Sequence, residues 1–428
     1  MTGGAAGLAD GVTWHPPSDD ASPATVTELF TASFGGDPAG VWSAPGRVNL
    51  IGEHVDYAGG VCLPFALPHR TWAAVRPRSD GLLRVVSGQL DEPWSGPADE
   101  VRPGHPAGWA AYLAGTVWAL HGAGMLGRHA FGGVDVAVHS EVPVGAGLSS
   151  SAALECALGV ALLDLFGGGA GQPGSPAREG LVRAGVRAEN EIALASTGGM
   201  DQAVAVHALT GRCLRLDCRT FEVVQLPLRL SGLSGLSGVD GGVDSVTGLT
   251  LVVVNTNAPH RLVDSEYADR RAAVEHATAL LGVPALGTLD SVEAAWAGLA
   301  EAGERDPVLR KRVRHVITES ARARAAAELL AADRVAELGP LLDASHTSLR
   351  DDYALSCPEL ESAVEAAKLA GALGARLVGG GFGGSIIALV ASSTVPAVVT
   401  EIRAAAAKRG LTEPSFLIAE PSSAAGRW

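Results

Sequence analysis

Lysine is nearly missing from this 428-residue chain: Lys311, Lys368 and Lys408 are the only three among 32 basic residues. None is followed by Ser or Thr, so the GxxxxGK[ST] phosphate loop is excluded, and any nucleotide must be held by another device. Cysteine is also sparse. The five present (Cys62, Cys156, Cys213, Cys218, Cys357) form no CxxC pair, which argues against a zinc site and a disulfide framework and favours a reducing compartment. Basic charge is in deficit, with a net −14, so neither nucleic acid nor an anionic membrane is the expected partner. No apolar run approaches the roughly 20 residues of a membrane helix, and the opening MTGGAAGLADGVTW lacks the features of a signal peptide. A cytoplasmic location is the expectation. HExxH and GxSxG are absent, leaving zinc peptidase and α/β-hydrolase chemistry without support.

What the chain does have is concentrated polar chemistry between glycines. Ala44–Gly60 reads APGRVNLIGEHVDYAGG. Arg47 offers a planar donor fork suited to phosphate, and Glu53, His54 and Asp56 offer acceptors and a donor suited to hydroxyls. Charge so crowded is costly to fold and makes sense around a polar ligand, although a charged turn is the plainer reading. Pro143–Ala153 reads PVGAGLSSSAA between a strand and a long helix. Gly145 and Gly147 allow successive N–H groups to converge on an anion, and the helix aims its positive end at the same spot. Ser149, Ser150 and Ser151 add hydroxyls, suited either to capping the helix or to binding Mg²⁺.

Ala188–Gln202 reads AENEIALASTGGMDQ. Glu189 is either a solvated helical residue or a metal ligand; Asp201 is either a helix cap or an acceptor for a hydroxyl proton. Val378–Ser385, VGGGFGGS, formally matches GxGxxG, but a strand follows it, so the dinucleotide-binding context fails. Close approach of backbone to a ligand is the remaining functional reason for its five glycines. In HRLVDSEYADRR, Asp264 or Ser265 can cap a helix whose first turn carries Tyr267. His346 and Cys357 are read as structural.

Valines alternate at 134, 136 and 138 as in a half-buried strand, Ala152–Phe166 reads as a buried helix, and Leu249–Asn255 as a strand. Helical periodicity recurs at Asp264–Leu281, Ser320–Leu338 and Pro358–Leu373, with strands at Arg376–Val378, Ser385–Val390 and Pro414–Ala419. Without a βαβ rhythm, the pattern predicts an α+β fold. It divides into a mobile extension (1–25), an amino-terminal domain (26–228), a Gly/Ser-rich connection (229–248, around SGLSGLSGVDGGVDS) and a carboxy-terminal α+β domain (249–428).

Taken in order, these segments resemble the galactokinases of the GHMP small-molecule kinase family over nearly the whole chain, from about Val41 to Ala419. GRVNLIGEHVDY is similar to the signature specific to galactokinases, PVGAGLSSSA to the family's ATP-binding motif, and GGGFGGS to its third motif; SEYADRR and SLRDDYALSCPEL are also similar to galactokinase segments. The resemblance implies a two-domain fold with the active site in the cleft between domains. It implies transfer of the ATP γ-phosphoryl group to the anomeric hydroxyl of α-D-galactose, in a monomer. Carried over by position, Glu53, His54, Asp56 and Tyr267 hold the sugar. Gly145, Ala146, Gly147, Leu148, Ser149, Ser150 and Ser151 hold the ATP phosphates, with Ser151 and Glu189 at Mg²⁺. Arg47 stabilises transferring charge, and Asp201 faces the anomeric hydroxyl. Two departures stand out: Ala58 where the family has Asn, and a long 229–248 connection. A non-catalytic galactose and ATP sensor and a kinase for N-acetylgalactosamine are the alternatives.

Overall fold

Along Pro64–Pro77 (β3) and Val134–Ser140 (β6) side chains alternate between two covered faces, as the two-residue period of a strand dictates. Ala73, Val75, Val134, Val136 and Val138 enter the main core, whereas Trp72, Ala74 and Ala137 pack on Val26 and Phe30 of the helix Ser22–Phe34 (α1). The strand read as half-buried is therefore covered twice. Its one fully buried polar residue, Asp135, is tolerated because Arg76, Arg78 and Arg84 neutralise it, with contacts of 2.6–2.9 Å. The computed structural model describes residues 12–15, 22–127, 131–143, 145–231, 248–258 and 263–428.

Gly40–Asn49 (β1), Leu82–Ser87 (β4), Trp94–Pro97 (β5) and Gly426–Arg427 (β13) complete a six-stranded sheet in the order β13-β1-β3-β6-β4-β5, parallel only at β4/β6. Ser150–Phe166 (α3) crosses β1 and β3 opposite α1, and Ala110–Gly122 (α2), Pro176–Arg187 (α4) and Met200–His207 (α5) pack around it. Val61–Cys62 (β2), Arg212–Asp217 (β7) and Glu222–Pro227 (β8) form a small sheet. The second half is built on the antiparallel order β10-β11-β9-β12: Gly374–Val378, Ser385–Ala391, Leu249–Asn255 and Ser415–Ala419. Its helices are Val263–Leu281 (α6), Val292–Glu301 (α7), Pro307–Ala331 (α8), Gly339–Asp351 (α9), Pro358–Leu369 (α10) and Val395–Lys408 (α11). Among the described residues no helix is long and apolar enough to cross a membrane. The α+β expectation holds.

Both ends of the chain depart from the expected division. Thr13 and His15 bond the backbone of Phe416, and Trp14 packs on its ring, so this part of the expected mobile extension is docked. α1 already begins at Ser22. The last residues leave the carboxy-terminal unit: Ala424 and Ala425 donate to Ala208 and Ala205, and β13 pairs with Trp42 and Ser43. That pairing covers the open edge of β1, which would otherwise expose unpaired backbone groups. Of the Gly/Ser-rich connection, residues 232–247 lie outside the described residues.

Candidate active site

β1 and β3 pair in register to Pro45 opposite Arg70, then resume with Arg47 opposite Ala66. Such a bulge re-aims a side chain, and here it turns Arg47 into the cleft while its N–H bonds Leu148 O at 3.0 Å. The guanidinium meets Asp201 as a fork: Nε to Oδ1 at 2.8 Å and Nη2 to Oδ2 at 2.9 Å, with Nη1 on Gly147 O. Burial alone would lower the pKa of Arg47, but Asp201, Glu53 and Asp56 raise it above its ordinary value and hold the cation. Asp201 is the second residue of α5, yet it does not cap it. Gly199, at φ 92°, precedes the helix without a side-chain cap, and the carboxylate is taken by Arg47 and the Ser149 hydroxyl.

The serine loop behaves likewise. Positive φ at Gly145 (76°), Gly147 (73°) and Ser149 (61°) gives the alternation that turns N–H groups toward one point. Ser149 precedes α3 without capping it. Gly147 has to be glycine because β10 runs directly into the VGGGFGGS loop here: a Cβ would lie 3.2 Å from Val378 O and 3.5 Å from Gly379 Cα. The Ser385 hydroxyl fastens the same loop to Ala146 O at 2.7 Å. Ala146 and Leu148 are buried and serve through backbone carbonyls. Between the two glycine loops lies a crevice of about 230 Å³ lined by Gly145, Gly147–Ser151, Gly380, Gly381, Gly383 and Gly384.

Beside it is a polar pocket of about 190 Å³ lined by Arg47, Glu53, His54, Asp56, Ser151, Glu189, Asp201 and Tyr267, which brings the expected sugar, metal and transfer residues together. The turn that supplies three of them is hung from the second half of the chain. Glu53 Oε2 accepts from Arg376 Nη1 at 3.0 Å and from Gly379 N–H at 3.1 Å, and its carbonyl meets His315 Nε2 at 3.0 Å. Glu319 of α8 accepts the N–H groups of Gly52 and Glu53 at 3.0 and 3.2 Å. Burial works against the Glu319 charge, but Arg322, His315 and Arg376 hold its pKa down to about 2. His54 adopts φ 58°, a conformation that costs a non-glycine residue about 1–3 kcal/mol. Its Nδ1 meets Tyr57 Oη at 2.9 Å, and its ring contacts Tyr267 and Tyr353 at 5.1 and 5.4 Å between centroids. Burial pushes its pKa down to about 3 against the backbone of Gly380 and Gly379, which raises it, so the imidazole is neutral. Asp56 Oδ2 accepts from Gly198 N–H at 3.1 Å, and burial followed by the nearby Asp201 charge raises its pKa to about 6.

Glu189 lies in a single π-helical turn, Ala188–Ala193, that continues α4, the kind of bulge that often marks functional sites. Burial lifts its pKa to about 7, moderated by hydrogen bonds from Ser151, Gln202 and Thr197. The Ser151 hydroxyl and the buried Glu189 carboxylate, which meet in the polar pocket, are hard oxygen donors of the type Mg²⁺ takes. Among the described residues no three His, Cys, Asp or Glu side chains gather to cage a metal.

Sequence reasoning missed Arg376, Glu319, Tyr57, Tyr353 and Thr197. Arg376 left one signal, a charge inside the otherwise apolar strand GARLV. Of the HRLVDSEYADRR segment, residues 259–262 and the side chains of Asp264 and Ser265 lie outside the described residues.

Three family signatures match the chain: a galactokinase galactose-binding signature over residues 28–77, the GHMP kinase amino-terminal domain over 111–208 and its carboxy-terminal domain over 326–408. The galactokinase of Streptomyces coelicolor is 42% identical over 404 residues, covering 94% of this chain and 98% of that one. A Mycobacterium tuberculosis galactokinase is 38% identical over 377 residues, 87% of this chain and 95% of its own. Among solved structures, Lactococcus lactis galactokinase complexed with galactose superposes with a TM-score of 0.82 at 32% identity, over 95% of this chain and 99% of that one. Methanococcus jannaschii mevalonate kinase, at 14% identity and a TM-score of 0.57 over 91% and 99% of the two chains, shares the fold.

Proposed function

The chain belongs to the galactokinase family of GHMP kinases, and we propose from that premise how its cleft divides the reaction. The protein transfers the γ-phosphoryl group of ATP to galactose, at the anomeric hydroxyl. One observation carries the division of labour: the Arg47–Asp201 fork stands at the seam between the acid-rich pocket and the glycine crevice.

The pocket takes the sugar. Its hydroxyls donate to Glu53 and Asp56, His54 faces them as a neutral imidazole, and Tyr267 closes the side. The crevice takes the phosphates on the N–H groups of Gly145–Ser151 and on the positive end of α3. Ser151 and Glu189 would hold a Mg²⁺ ion, which when bound neutralises phosphate charge. Asp201, fixed at both oxygens by Arg47, receives the proton of the anomeric hydroxyl as the oxygen approaches phosphorus. Arg47 balances the charge on the transferring group. A loose phosphoryl transition state asks for this positioning and neutralisation more than for covalent chemistry.

The test is an assay of the purified protein with ATP and Mg²⁺ on galactose, glucose, N-acetylgalactosamine and mevalonate. Galactose is expected to give by far the largest kcat/KM, with an acid-labile anomeric phosphate as product. Galactose as the poorest substrate overturns the reading.

A further inference from the structure

The stretch Leu194–Gly199 has neither helix nor strand to hold it, yet it supplies Ala195, Ser196 and Thr197 to the ligand pocket and the Gly198 N–H to Asp56. Behind it lies a second, open cavity of about 610 Å³, which Asp56, Thr197 and Gly198 line from the other side. The stretch is thus a thin wall between two spaces, and apolar packing cannot fix it.

Polar contacts do. Asn190 brackets Thr197, its Oδ1 accepting the Thr197 N–H at 3.3 Å and its Nδ2 donating to Thr197 O at 3.2 Å. Arg271 of α6 then donates through Nη1 to both members of the bracket, to Asn190 Oδ1 at 2.8 Å and Thr197 O at 3.3 Å. Its Nε is held by Glu275 at 2.9 Å. Both bracket bonds leave one nitrogen, Nη1, whose two donors are fixed in the guanidinium plane, whereas an ammonium is a point charge on a flexible stem. Arg271 also lies four residues after Tyr267, on the same face of α6. One bond set therefore locates both the wall behind Asp56 and the helix carrying Tyr267 in front.

We propose that Arg271 is a positioning residue that sets galactose affinity by locking the Asn190–Thr197 bracket, an inference that rests on the pocket being the sugar site. It does not line the ligand pocket. It fixes the Gly198 N–H, which orients the Asp56 carboxylate, and the Thr197 side chain, which bonds Glu189.

The experiment measures the galactose Kd by calorimetry without nucleotide, the Kd for a non-hydrolysable ATP analogue without sugar, kcat and thermal melting. Wild type, Arg271→Gln, Arg271→Lys, Asn190→Ala, the Arg271→Gln/Asn190→Ala double variant and Glu275→Ala are compared. Arg271→Gln and Arg271→Lys are both expected to weaken galactose on the order of tenfold, as loss of supporting contacts does at other sites. The analogue Kd, measured without Mg²⁺ so that Glu189 plays no part, stays within about twofold, because no residue of the bracket lines the crevice. In the Asn190→Ala background the Arg271→Gln change should add little, since contacting residues couple. Glu275→Ala keeps the bracket and is expected to bind galactose normally. Additive effects, an unchanged galactose Kd in Arg271→Gln, or full rescue by Lys overturns the proposal. A wild-type protein that neither binds nor phosphorylates galactose would instead overturn the sugar-site reading, so the two failures are distinct. Should Arg271→Gln fail to fold, Arg271→Lys against Glu275→Ala decides the matter.

Discussion

Two arginine–carboxylate pairs each give their carboxylate to the same pocket, and they do different things. Arg376 is fully buried, and its donors go to Glu53 and to the carbonyls of Asn49, Leu50 and Leu377. Four of its five N–H donors are spent inside the protein, and it does not line the pocket. Arg47 spends its fork on Asp201 and one donor on Gly147, and its partner's side chain is 20% exposed. The first pair fixes the turn Gly52–Asp56 to β10 from across the chain; the second stands open at the junction of two ligand spaces. The residue types and distances are nearly the same, so the difference comes from where the remaining hydrogen bonds go. A buried ion pair whose partners are all internal is architecture, and one that keeps a face toward a cavity is available for chemistry.

Removing the open pair's acid should have the largest effect. Asp201→Ala is expected to lower kcat by about 10²–10⁴-fold, the usual share of a proton acceptor, with galactose still bound in calorimetry. Unchanged turnover would remove Asp201 from the reaction. Arg47→Lys follows: the charge survives but the fork does not, and a fall in kcat of about 10²–10³-fold is expected, typical of a lost transition-state donor. Steady-state kinetics on a variant that melts near wild type would establish that the loss is chemical.

Arg376→Met breaks the comparison from the other side. It strands the Glu53 carboxylate in a buried site, for which a loss of about 3–5 kcal/mol is expected, read as a lower midpoint in denaturant. The fraction that remains folded should keep kcat within a few-fold, with galactose affinity weakened through the turn. If Arg376→Met instead behaved like Arg47→Lys, stable but inert, the distinction between the two pairs would collapse.

Much of this was legible in the sequence where the signal is local. Leu249–Asn255 is a strand over the expected residues, since a short apolar run with β-branched residues packs both faces of a central strand. The segments around Arg47, Ser149, Glu189 and Asp201 each carried their polar residues beside glycines, and the fold brings them to one pocket. What did not show was whatever depends on long-range partners. Arg376 meets Glu53 across 323 positions and Glu319 meets Gly52 across 267, and nothing near either residue announces the partner. Helix α8 starts at Pro307, well before the expected Ser320, although Asp306 caps it through the Val308 N–H at 2.9 Å. Its basic opening, RKRVRH, hid the apolar period there. The return of residues 424–427 to the first sheet is equally invisible, because a two-residue strand has no pattern of its own.

Asp56 sharpens the contrast as the carboxylate in this pocket bonded by a backbone N–H rather than an arginine. Burial, then Asp201, raises its pKa to about 6 from an ordinary 3.8. Between those values the folded protein holds a proton that the unfolded chain has released, so this group's contribution to stability falls as pH rises through the window. Sugar binding runs the other way. A hydroxyl donates to the ionised carboxylate, so galactose affinity should climb as pH passes about 6 and then level off. Asp56→Asn removes both trends: galactose binding becomes weaker and flat with pH, and the difference in melting temperature from wild type shrinks toward low pH. Calorimetry and melting from pH 5 to 8 on the two proteins check this together. A slope that persists in the Asn variant would assign the titration to another group.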